Sequence, residues 1–168
     1  MSRLKELMLA EPRLTLAVAE SLTSGGVQAA VGRISGASNF FLGGITAYTI
    51  DQKVRHLGVD RAGAAAVNCV SAAVAEQMAA GVCALFGSDL GVATTGYAEP
   101  SPEQGVAVPF AWWAVAYRKR AYATGKSEML SGKIECPGAM RAEVQQRVSE
   151  AAVAALVTWL ERFRTARG

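Results

Sequence analysis

Two residues in the first third of the chain could carry covalent chemistry without a metal: the serine of AESLTSGG (19–26) and the lysine of TIDQKV (49–54). A serine hydroxyl attacks a carbonyl only when something removes its proton. A lysine does that only if burial or nearby positive charge leaves part of it as neutral amine. Ser21 ends an apolar run, LTLAVAE, and opens a segment with helical spacing. A strand-to-helix junction of this kind lies at the carboxyl edge of a sheet, the usual ligand crevice of α/β folds. The N–H groups near Thr23, Ser24 and Gly25, at the start of the next helix, are placed to bind an anion or the oxyanion of an acyl intermediate. Lys53 follows a second apolar run, beside Tyr48. If the two strands are neighbours, both side chains emerge at one edge. The plain alternative stays open: a serine at a helix start is ordinarily a cap, and a lysine after a strand is ordinarily solvated.

Alternating strands and helices must hold these groups. Residues 3–10 predict a short helix closed by Pro12, and Leu14 to Ala19 a strand buried on both faces. Gly25 to Val31 reads as a helix, and GRISGASNFFLGG (32–44) as irregular chain leading into a second strand, ITAYTI (45–50). Asp51 is the expected N-cap of the helix QKVRHLG, which stops at Gly58. SAAVAEQMAAGVCALFG (71–87) is a helix capped by Ser71 and ended by Gly87. Its alanine-rich surface suits the core, or else the interface of a homo-oligomer. DLGVATTG (89–96) reads as a strand, followed by a loop that runs to Pro109. FAWWAVAYR and EMLSGKIE form an antiparallel hairpin, because RKRAYATGK is too short for a crossover helix. A long helix runs from Gly138 to about Arg164. The expected fold is α/β: one three-layer α/β/α domain over residues 1–168 around a mixed central sheet.

Composition removes several function classes. With 51% hydrophobic and 18% charged residues the chain is globular, and its net charge of +3 is modest. Part of that charge lies in ERFRTARG, a solvated helix end, and no basic stripe interleaved with aromatics marks a nucleic-acid partner. MSRLKELMLAEPR is charged and amphipathic rather than a signal peptide, and no apolar run approaches the ~18–20 residues that span a bilayer. Cys69, Cys83 and Cys136 lack CxxC spacing and read as free thiols in a reducing, cytoplasmic setting. Gly125–Lys126–Ser127 has Arg120 where a phosphate loop needs glycine, and no GxGxxG follows the first strand, so no nucleotide cofactor is expected. One histidine, His56, and scattered cysteines do not make a metal site, and no GxSxG supports a triad through His56. Trp112 and Trp113 alternate across a strand, which puts one of them in the core.

From AESLTSGG through GITAYTIDQKVRHLGV, the chain resembles the C-terminal domain of the CinA family (competence/damage-inducible proteins). That family includes nicotinamide mononucleotide deamidases. Ser21, Thr23, Gly25, Gly36, Ser38, Gly44, Tyr48, Lys53, Gly58 and Val59 fall in register without a gap, and CVSAAVAEQMAAG (69–81) and ATTG (93–96) echo later motifs. The resemblance implies a stand-alone version of the domain. It implies Ser21 as nucleophile, Lys53 as general base, Tyr48 lining the pocket as a third member of the catalytic group, Thr23 as a substrate-binding pocket residue, and Thr95 and Gly96 on the other side of the site. Arg141 is implied near a substrate phosphate. The substrate would be a small pyridine nucleotide whose carboxamide is hydrolysed without a cofactor.

The departures from the family pattern are specific. Leu22 replaces a cysteine, Ser24 a glycine, and Thr49–Ile50–Asp51 an S-N-E triplet. Glu99 stands at a glycine position in GYAEPSPEQG, and Ala139–Met140–Arg141 replaces G-D-R. A glutamate added near a phosphate pocket repels the substrate unless it points away. A pocket that binds a nucleotide without turning it over is therefore the second reading. A DNA-associated competence factor is a third, against which the missing basic face argues.

Overall fold

The computed structural model describes residues 2–118 and 128–166. Gly125–Lys126–Ser127 and most of the linker RKRAYATGK lie outside the described residues. Five strands, β1 (Leu16–Glu20), β2 (Phe41–Thr46), β3 (Leu90–Tyr97), β4 (Phe110–Tyr117) and β5 (Glu128–Glu135), form one sheet in the order β2-β1-β3-β4-β5. The first three run parallel, while β4 and β5 are an antiparallel hairpin against β3. This is the expected mixed sheet.

Side-chain size alternates along the central strands and so determines the layers. In β1, Leu16 and Val18 join a core with α1 (Arg3–Leu9), α2 (Gly26–Gly32) and α6 (Arg141–Thr165). Ala17 and Ala19 face the opposite core, built with α3 (Ile50–Leu57), α4 (Arg61–Ala66) and α5 (Ala72–Phe86). Ala93, Ala114 and Ala116 continue that small-residue face, on which α5 buries Val74, Ala75, Met78, Ala79, Val82 and Cys83. Alanines let the helix lie close to the sheet. A Cβ on Gly91 would land on the Ala79 carbonyl oxygen.

The same closeness recurs between α3 and α5, where a Cβ on Gly81 would land on the carbonyl oxygen of Leu57. Backbone cannot yield as a flexible side chain does. Gly81→Ala is therefore expected to lower stability by about 2 kcal/mol, read from the midpoint of urea unfolding. An unchanged midpoint would mean that α3 separates from α5 at no cost.

Several expected boundaries move. The second strand starts four residues early and ends at Thr46, so Tyr48 lies in the connection rather than in the strand. Its glycines read as loop, but the sheet needs them: a Cβ on Gly44 would meet the Val18 carbonyl oxygen at 2.5 Å. Thr49, not Asp51, caps α3, accepting from the Gln52 N–H. Helix α4 went unrecognised. The terminal helix begins at Arg141, because Gly138 turns with φ 70°. Both tryptophans pack, Trp113 against one core and Trp112 against the other. His56 is exposed and paired with Gln52. Among the described residues, no helix is long and apolar enough to cross a membrane, and no His/Cys/Asp/Glu cluster could hold a metal ion.

Candidate active site

Because β1, β2 and β3 run parallel, their carboxyl ends open on one crevice, and the order β2-β1-β3 puts β1 at its centre. Ser21 follows β1 directly, and its N–H donates to the Thr94 carbonyl of β3 at 3.1 Å. Lys53 comes from the first turn of α3 and is only 1% exposed. Its Nζ lies 2.9 Å from Ser21 Oγ, 2.9 Å from the Ala47 carbonyl oxygen and 3.1 Å from that of Tyr48.

Three oxygens around one nitrogen suit either protonation state. An ammonium donates to all three. A neutral amine keeps its two N–H on the carbonyls and turns its lone pair to the Ser21 O–H. Only the contact with Ser21 reverses direction. Burial lowers the Lys53 pKa from its ordinary 10.5, against an opposing pull from the Cys69 sulfur.

The start of α2 is not the expected anion site. Glu20, fully buried at the end of β1, accepts from the N–H groups of Gly25 (3.0 Å), Val27 (3.1 Å) and Gln28 (2.8 Å). The Ser24 N–H donates to the Ser21 carbonyl. A carboxylate from the chain itself thus occupies the helix terminus, and Ser24 and Gly25 line a separate groove between α2 and α6. The Thr23 hydroxyl is also taken, pairing with Thr94 Oγ1 at 2.7 Å, but the Thr23 N–H has no protein acceptor among the described residues. Nearer Ser21, the Leu22 N–H has no protein acceptor among the described residues.

The crevice divides into two compartments that share Leu22, Tyr48, Gly96 and Tyr97. The inner one, about 350 Å³, holds Ser21, Lys53, Cys69 and Thr95. The outer one, about 340 Å³, holds Glu99, Glu103 and Arg141. Each falls within the ~300–1,000 Å³ range of small-molecule sites. Thr95 Oγ1 donates to the Cys69 carbonyl at 2.7 Å. Arg141 opens α6 and donates to Glu99 Oε1 and to Tyr48 Oη, both at 2.8 Å. Five of the expected residues, Ser21, Lys53, Tyr48, Thr95 and Gly96, meet in the inner compartment, and Arg141 joins them at its rim.

Sequence reasoning missed the roles of Glu20, Asn68 and Tyr97. Asn68 and Cys69 hold left-handed backbone (φ 47° and 61°) in the turn before α5, and Asn68 Nδ2 donates to Tyr97 Oη at 3.1 Å. The dipeptide Asn–Cys ahead of the Ser71 cap was the available signal, since asparagine tolerates that conformation.

Comparison with known proteins identifies the family and the fold. The CinA C-terminal domain model matches residues 2–160. A CinA-like protein of Chlorobium limicola is 39% identical over 155 residues, 92% of this chain and 35% of that protein. A putative competence-damage inducible protein of Desulforamulus reducens is 38% identical over 133 residues, 76% of this chain and 32% of that protein. The chain thus spans about a third of the length of these relatives. Among solved structures, a CinA superfamily protein of Klebsiella pneumoniae superposes with a TM-score of 0.84 at 25% identity, covering 95% of this chain and 94% of that one. A competence/damage inducible protein of Agrobacterium tumefaciens gives 0.78 at 25% identity, covering 96% and 97%. With the family model matching nearly the whole chain and the overall fold shared with these structures, this protein belongs to the CinA C-terminal domain family.

Proposed function

We propose that the protein hydrolyses the carboxamide of nicotinamide mononucleotide, or of a related pyridine compound, through a Ser21–Lys53 dyad. One observation carries this reading: the 2.9 Å contact between Ser21 Oγ and a buried Lys53 Nζ whose other two neighbours are carbonyl oxygens. Lys53 amine takes the Ser21 proton as Oγ bonds to the amide carbon. The Leu22 N–H is the nearest candidate donor for the resulting oxyanion, in place of those expected at Ser24 and Gly25. The Lys53 ammonium then protonates the departing nitrogen, and ammonia leaves as the C–N bond breaks. Water attacks the ester, Lys53 removes its proton, and that proton returns to Ser21 Oγ as the acid departs. The experiment is an assay of ammonia release across a panel of pyridine amides. No release from any of them ends the proposal.

A base with a lowered pKa has a pH signature. Below that pKa the lone pair is protonated, so kcat/KM is expected to climb with pH along a limb that levels off below the ordinary lysine value of 10.5. Stability should move the same way. Between the lowered pKa and 10.5 the unfolded chain binds the extra proton, so unfolding free energy rises with pH in that window. A rate profile with no rising limb at any pH below 10.5 would count against Lys53 as the base.

The second reading, a nucleotide-binding domain without turnover, draws on one feature, the pairing of Arg141 with Glu99. Calorimetry beside the ammonia assay separates the two, since binding without product favours the second.

A further inference from the structure

We propose that the outer compartment selects a nicotinamide bearing an unphosphorylated ribose over the same compound with a 5′-phosphate, and that Glu99 sets this preference. The inference names the substrate class of the reaction proposed above and rests on a carboxamide seated at Ser21. From there a ligand can extend past Tyr48 and Tyr97 into the outer compartment, because the two spaces adjoin at those residues.

The charges there are unbalanced. Among the described residues, Glu99 and Glu103 share the compartment with one cation, Arg141. The guanidinium is already engaged, with one nitrogen on Glu99 Oε1 and the other on Tyr48 Oη. A phosphate monoester carries about −1.5 to −2 charges and would meet one shared cation and two carboxylates. The pair is exposed, with side chains 46% and 63% accessible, so a phosphate could compete for Arg141. It could not remove the Glu99 carboxylate, which stays tethered in the same compartment.

A bare ribose meets the opposite situation. Its vicinal hydroxyls donate well to a carboxylate, as when acidic side chains hold a ribose in dinucleotide sites. The ribosylated pyridinium also carries a fixed positive charge, which two nearby carboxylates attract.

The test reads binding in Ser21→Ala, which cannot turn the ligand over. Calorimetry is run with nicotinamide riboside, nicotinamide mononucleotide and free nicotinamide, then repeated in Ser21→Ala/Glu99→Gln. In Ser21→Ala the riboside should bind about tenfold more tightly than the mononucleotide, and more tightly than nicotinamide. Adding Glu99→Gln should strengthen mononucleotide binding about tenfold and weaken the riboside. Raising salt should narrow the preference seen in Ser21→Ala, as a charge effect requires. Tighter binding of the mononucleotide, a ratio unmoved by Glu99→Gln, or no binding of any of the three overturns the inference. The amidase proposal is scored separately by ammonia release from the unmutated protein. Preferential hydrolysis of the mononucleotide would sink this inference alone, and the expected ratios without any ammonia would sink the amidase alone.

Discussion

Ser21→Ala and Lys53→Met are each expected to cut ammonia release by about four orders of magnitude, with the proteins still folded. The two residues act as one unit, so the double variant should be hardly slower than either single one. Methionine fills the volume of the lysine stem but leaves the Ala47 and Tyr48 carbonyls without their donor, a cost of about 1–3 kcal/mol. A thermal melt must therefore accompany each rate. Lys53→Arg is the sharper control. Arginine keeps the charge and can donate to the same carbonyls, but it never offers a lone pair near neutral pH. If Lys53 serves only as a positive charge that steadies Ser21, the arginine variant retains activity. If it is the base, arginine is as inactive as methionine. A Lys53→Met rate within tenfold of the unmutated protein would remove the dyad.

The parts of the fold that could be read beforehand are those where one local rule governs. The helix at 71–87 was legible because Ser71, the apolar spacing and Gly87 all agree. The hairpin was legible from the length of its linker. The second strand was not, because close packing on Val18 requires glycines there, and glycine in a sequence signals a loop. At the site, Ser21 and Lys53 were legible as residue types at a strand end. Their contact needed the fold, since only β1–β2 pairing and the burial of α3 bring them together across 32 positions. Tyr48, Thr95 and Gly96 came from resemblance, and the crevice includes them. The N–H groups of Thr23, Ser24 and Gly25 were read as oxyanion donors on the assumption that a helix start leaves them free. Glu20 removes that of Gly25 and the Ser21 carbonyl that of Ser24, which leaves only the Thr23 N–H of the three without an acceptor among the described residues.

Glu20 carries the other large prediction. The N-cap of α2 is Gly25, which has no side chain to satisfy the first N–H groups of the helix. Glu20 does so from five residues upstream, one oxygen accepting from Gly25 and Val27 and the other from Gln28. Its signal was a single acidic residue closing an apolar run, which reads as the point where a strand reaches water. Instead the side chain turns back, and the chain between, Ser21 to Gly25, closes into a tight loop with Ser24 held at φ 47°. Glu20→Ala would orphan one buried and two partly buried donors at a positive helix end and is expected to lower unfolding free energy by about 3 kcal/mol. Glu20→Gln keeps the shape but presents an N–H₂ where an acceptor is needed, for a loss of about 2 kcal/mol. Urea unfolding measures both. A Glu20→Ala loss under 1 kcal/mol would mean that water replaces the carboxylate freely and that the α2 terminus is open to an anion after all. The loop that Glu20 closes carries Ser21, so Glu20→Gln should also slow ammonia release under conditions where the variant stays folded. The pH limb assigned to Lys53 should stay in place, because the cap sets where the hydroxyl sits and not which group takes its proton.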